Sequence, residues 1–204
     1  MRGAETLPTL SGMPFIRSLL LLGLWLVPGA GQAAEAVIRT YDVTGRTYAE
    51  LIASMRENGP FVERTGRRHW GITQTAFQQE WSYQEARGRC ELLAARTELD
   101  LTITLPEWKE RAGASDATIR RWERLKADIV AHEERHAAIA RDYLERLRAE
   151  TDRPVTAPTC AALEAGLRAR STIITDRHRE AQLEFDRSVG PIKLPNPRRE
   201  GGAG

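Results

Sequence analysis

Aromatic residues make up only 6% of this 204-residue chain, cysteine occurs twice, histidine four times, and neither sign of charge dominates, with 30 basic and 28 acidic residues. Each scarcity excludes something. Two cysteines 70 residues apart cannot form a zinc knuckle. Basic and acidic residues alternate along the helical stretches, as in Glu123-Arg124 and Glu145-Arg146, which describes a solvated, salt-bridged face. That pattern argues against a nucleic-acid binder, whose Lys and Arg gather on one side. The one long apolar run, Leu19 to Val27, falls short of the roughly 20 residues that span a bilayer as a helix. What remains is ordinary: 41% hydrophobic and 28% charged residues exclude disorder, collagen and a membrane bundle.

The apolar run has a positive residue before it, Arg17, and Pro28 followed by small residues through Ala34 after it. Positive end, short apolar stretch and small-residue cleavage site are the order of a secretory signal. Residues 1–34 are therefore expected to be a signal peptide, with Met13 as a candidate true start, and the product is expected in the periplasm or secreted, with no stable membrane span. Removing that segment takes away Arg2, Arg17 and Glu5 and leaves 28 basic and 27 acidic residues, a net charge of +1. In an oxidising compartment Cys90 and Cys160 are expected to pair. Closing such a loop contributes about 4 kcal/mol by the chain-entropy argument.

Ala36 to Val43 reads as a strand, and Thr47 caps a helix from Tyr48 to Asn58 that ends at Asn58-Gly59-Pro60. Two strands should follow, about Arg68 to Tyr83 and Cys90 to Leu105, with Gly88 as the hairpin pivot and Pro106 closing the sheet. In the second, Leu99, Leu101, Ile103 and Leu105 alternate with Asp100, Thr102 and Thr104, as in a half-buried strand. Ser115-Asp116 opens a long helix to about Glu150. Its stripe of Ile119, Trp122, Leu125, Ile129, Ile139, Tyr143 and Leu147 is bridged at helical spacing by His132 and His136, which places both histidines toward the core. Thr151 to Pro158 reads as a loop, with Thr156 as the cap of a second helix from about Thr159 to Asp186. The chain from residue 190 on, rich in Pro and Gly, is expected to be disordered. The fold is thus α+β: a small antiparallel sheet with one short helix, packed on a long two-helix hairpin, residues 35–189 forming one domain. Tyr143, Trp108 and Trp122 read as packing, and His69 as a strand residue.

His132-Glu133-x-x-His136 carries the chemistry. Histidines four apart on a helix stand one turn apart on one face and reach a single cation. Zinc held by three protein ligands and a water lowers that water's pKa toward about 7, and a neighbouring carboxylate, here Glu133, takes its proton.

Around this motif Tyr41-Asp42-Val43-Thr44-Gly45-Arg46-Thr47, Glu50-Leu51, Asn58-Gly59-Pro60, Trp81, Cys90, Leu105-Pro106, Cys160 and Phe185-Asp186 resemble a family of predicted secreted bacterial zinc-dependent proteases long catalogued as a domain of unknown function. The resemblance covers nearly all of the mature chain. It implies a zincin-like peptidase acting on a peptide or protein, with His132 and His136 as ligands and Glu133 as general base. Many relatives end in an aromatic residue, Asp, Thr and a His-Gly pair, whereas this chain reads Phe185-Asp186-Arg187-Ser188-Val189-Gly190. Of that pattern Asp186 survives and is the expected third ligand. A helical hairpin folded near Pro154 would instead bring His178 level with His132, and His178 stays open as the alternative. The rival functions are a catalytically silent envelope protein with a structural zinc or an interaction role, and a metal-free helical-hairpin binding protein.

Overall fold

The computed structural model describes residues 34–190 and 192; all of the expected signal peptide but Ala34, the alternative start and nearly all of the expected disordered tail lie outside them. In chain order the elements are β1 (Val37–Val43), α1 (Tyr48–Asn58), β2 (Phe61–Val62), β3 (Arg67–Arg68), β4 (Ile72–Ala86), β5 (Arg89–Trp108), α2 (Asp116–Ala149), β6 (Thr156–Ala157) and α3 (Cys160–Val189). A short 3-10 turn, Glu63–Thr65, joins β2 to β3.

The main sheet has the order β1-β5-β4, with β6 pairing the start of β5. β4 and β5 form one long antiparallel hairpin that turns through Arg87 and Gly88, at φ 53° and 72°. Two successive positive φ values give the turn whose twist matches that of the flanking strands, so Gly88 is the pivot its position suggested. Tyr83 pairs with Leu92 and Ser82 with Ala94, so Leu93 is extra, and this bulge turns it out to 57% exposure. Beyond it, Leu99, Leu101 and Ile103 point inward and are buried, while Asp100 is exposed.

The α+β architecture is the expected one, with three adjustments. The sheet is mixed: β1 runs parallel to β5, Val37 opposite Thr102 through Val43 opposite Trp108. β5 also continues through Pro106 to Trp108. β4 begins at Ile72, opposite Thr104, so at Pro106 β5 is flanked by β1 alone, and a proline without an N–H is tolerated there. Thr156 lies in β6, opposite Glu91; the cap of α3 is Thr159, whose hydroxyl accepts from the Ala162 N–H.

Helix α2 lies across the sheet. Its N-terminal half packs Trp122, Leu125 and Ile129 on Val43, Leu51, Ile52, Met55 and Trp108, tying α1 to the end of β5. Farther along, Ala137, Ala140 and Leu144 meet Leu99, Leu101 and Ile103. Those alanines let helix and sheet approach closely, and the sheet-facing stripe therefore runs Ile129, Glu133, Ala137, Ala140, Leu144. The histidines do not lie on it. His132 and His136 are rotated toward α3 and only partly buried, and the buried polar residue of the stripe is Glu133.

The opposite end is closed covalently. Cys90, at the start of β5, and Cys160, at the start of α3, form a disulfide with Cα atoms 4.9 Å apart, packed with Leu163 and Leu167. No helix among the described residues is long and apolar enough to cross a membrane.

Candidate metal centre

Helices α2 and α3 run side by side, and their facing side chains repeat every fourth residue: His132 and His136 on one, His178, Gln182 and Asp186 on the other. His136 Nε2 lies 3.1 Å from His132 Nε2 and 3.0 Å from Asp186 Oδ1, and His132 Nε2 lies 3.4 Å from the same oxygen. Three donor atoms from two helices thus converge on one point, the group among the described residues able to hold a metal ion. The histidine side chains are 18% and 13% exposed and Asp186 is 47% exposed, so the cluster is walled on the protein side and open at the carboxylate. Phe185 packs its ring against both imidazoles, at 5.0 and 4.9 Å between centroids. Burial, and then the neighbouring His136, hold His132 below the usual histidine range, which favours the neutral ring a cation needs.

Glu133 has a different environment. It is 4% exposed, and its Oε2 accepts a 2.8 Å hydrogen bond from the Thr73 hydroxyl at the start of β4, which also reaches the Glu133 carbonyl at 3.0 Å. Burial is the main influence on its carboxyl and raises its pKa, while the bond from Thr73 opposes the rise. The backbone at Gly71 presses on the same carboxylate: a Cβ there would lie 2.8 Å from Glu133 Oε1 and from Ile129 Cγ2.

The alternative third ligand, His178, is elsewhere. Its Nε2 accepts from the Gln182 amide at 2.8 Å, and its ring sits edge-on to Phe77 and Tyr143. The two helices are offset along each other relative to that expectation, with Gln182 rather than His178 bonded to His136. His178 consequently lies beside Tyr143, and Asp186 beside His132 and His136. Tyr143 packs, as expected, and Trp108 and Trp122 are core. His69 follows β3 rather than lying in it; burial and then Arg67 lower its pKa, with Asp186 opposing.

Sequence reasoning missed Thr73, Gly71 and Gln182. The four-residue spacing of His178, Gln182 and Asp186 was a readable signal for Gln182, whereas Thr73 and Gly71 meet Glu133 only through the sheet-to-helix contact.

No curated protein and no solved structure matches the chain. A model of a family described as bacterial protein of unknown function (DUF922) matches residues 38–190, a stretch that holds both cysteines, the His-Glu-x-x-His helix and Asp186. The chain belongs to that family.

Proposed function

We propose that this protein is an exported zinc-dependent hydrolase, a peptidase in its simplest form, with His132, His136 and Asp186 as metal ligands and Glu133 as general base. The observation that carries this reading is the mutual spacing of the three donor atoms, 3.0, 3.1 and 3.4 Å. Ligands at about 2.0–2.2 Å from a tetrahedral zinc stand roughly 3.3–3.5 Å from one another, so the site needs little adjustment to take the ion. Two imidazoles and one carboxylate are also a donor set that suits zinc.

Structural zinc sites are closed by four protein ligands, whereas catalytic ones keep a position for water. Three converging donors with an exposed carboxylate fit the second kind. Zinc, when bound, would supply an acidified water and polarise a carbonyl. Glu133 then accepts the proton: its burial and raised pKa move it toward the range in which a carboxylate works as a base near neutral pH, and Thr73 fixes its orientation. Gln182 and Phe185 hold the histidine rings. Since β4 is an edge strand and Thr73 on it touches Glu133, an extended peptide pairing with its edge would pass beside the base. A bound peptide should then protect the amides near Thr73 from hydrogen exchange.

The leader-like N-terminal sequence and the Cys90–Cys160 disulfide support export. The test separating an enzyme from a protein with a structural zinc is Glu133→Gln. Zinc retained at the wild-type level with loss of peptide or casein turnover supports the assignment; full turnover in that variant would remove Glu133 from the chemistry.

A further inference from the structure

We infer that Gln182 is a positioning residue that fixes the proton of His136 on Nδ1 and leaves the Nε2 lone pair directed at His132 and Asp186, with His178 as the group that holds Gln182 in place. The argument starts from one contact with a single solution. Gln182 Nε2 lies 3.0 Å from the His136 backbone carbonyl oxygen, and a carbonyl only accepts, so the nitrogen of the amide faces it and the orientation of the amide is settled. Gln182 Oε1 therefore faces His136 Nδ1, at 2.5 Å. An amide oxygen only accepts as well, so His136 Nδ1 carries hydrogen. In the neutral ring Nε2 is then bare.

The same logic fixes His178. The second hydrogen of the Gln182 amide points to His178 Nε2 at 2.8 Å, so that nitrogen is an acceptor and the proton of His178 sits on Nδ1. Burial, its largest influence, holds His178 below the usual histidine range, consistent with a neutral acceptor. Its ring is clamped edge-on by Phe77, 5.1 Å away, and Tyr143, 5.5 Å away. One amide thus grips His136 at both its ring and its backbone and is itself gripped by a packed histidine. Its three hydrogen bonds use both of its amide hydrogens and its oxygen.

The consequence at the centre follows from counting protons. In the neutral ring the bare His136 Nε2, 3.0 Å from a carboxylate oxygen, sets one lone pair against another, a conflict that a second proton on that nitrogen would turn into a hydrogen bond. A proton on His132 Nε2 could relieve one of the three close approaches, whereas a cation relieves all of them. The tautomer stands independently of any metal, and its effect on metal affinity rests on the zinc reading proposed above. His178, the alternative third ligand by sequence, is here a supporting group two contacts from His136.

Two measurements on the full mature chain test this. Imidazole 15N–1H correlation spectra of the metal-free protein at mildly alkaline pH should show His136 and His178 each with the proton on Nδ1; a proton on His136 Nε2 would overturn the inference whether or not zinc binds. Zinc competition titrations then compare variants. Gln182→Leu should weaken zinc roughly 10–100-fold, while Gln182→Glu, which keeps an acceptor against Nδ1–H, should restore most of the affinity. His178→Ala should still take one zinc at saturation. If wild type binds zinc and Gln182→Leu matches it, the positioning role fails and the zinc reading survives; if wild type takes no zinc, the zinc reading fails and the tautomer stands or falls by the spectra.

Discussion

Gly71, Thr73 and Glu133 share one small volume, and two substitutions there separate packing from chemistry. At Gly71 a Cβ would meet Glu133 Oε1 and Ile129 Cγ2, both at 2.8 Å, and neither belongs to a side chain free to swing away. Gly71→Ala is expected to cost about 1–3 kcal/mol, the usual range for overpacking a filled site, read from urea unfolding; stability equal to wild type would mean that the contact yields. Thr73→Val keeps the shape and removes the hydroxyl that bonds Glu133 Oε2. A hydrogen bond to a charged group contributes about 1.5–3 kcal/mol, so turnover should fall by roughly tenfold or more with zinc content unchanged. Undiminished turnover would leave Thr73 with a packing role only. Two of the three site residues that sequence reasoning missed lie in this volume, for a physical reason. A glycine that must be small and a threonine that must donate are each ordinary in their own segments, and their significance arises 60 residues away.

At the scale of elements, the helices were legible where their ends carry chemistry of their own. Thr47 caps α1 with a complete capping box, its hydroxyl accepting from the Glu50 N–H and Glu50 Oε2 accepting from the backbone N–H groups of Arg46 and Thr47. Those backbone donors are the first cause of the lowered pKa of Glu50. A carboxyl whose pKa is depressed on folding stabilises the fold above its unfolded value and loses that contribution as pH falls through the folded value. Glu50→Gln should therefore have a lower Tm than wild type at neutral pH, with the gap closing below about pH 4; a gap independent of pH would show that the charge contributes nothing to the cap. The hairpin of α2 and α3 was legible as a hairpin, although its register was not. The offset of α3 along α2, which sets Gln182 rather than His178 against His136, is an outcome of tertiary packing that helix lengths and the turn between them do not announce. The rotation of the motif was also hidden: apolar spacing put His132 and His136 on the inward stripe, whereas close approach to the sheet is made by Ala137 and Ala140, which carry little hydropathic signal.

For the molecule as a whole, the cluster of His132, His136 and Asp186 and the disulfide hold opposite ends of α3. Asp186 joins α3 to α2 near its C-terminal end, and Cys160 joins its first turn to β5. The bridge spans 70 residues of sequence, and the chain-entropy argument gives it about 4 kcal/mol. Replacing both cysteines by serine should lower the urea midpoint accordingly, while zinc stays bound because the ligands lie far along both helices from the bridge; loss of zinc in a variant that still folds would show that the two ends are coupled. The family relationship adds context and no chemistry, since that family carries no assigned function. The functional account rests on three donor atoms within 3.4 Å of one another. The measurement that tests it most directly is zinc per chain in the purified mature protein and in His132→Ala, His136→Ala and Asp186→Ala. Near-stoichiometric zinc in the wild type, lost from both histidine variants and strongly weakened in the aspartate variant, is the predicted result. A correctly folded wild type that takes up no zinc when it is offered, or an Asp186→Ala variant that holds it as tightly as wild type, would contradict the account.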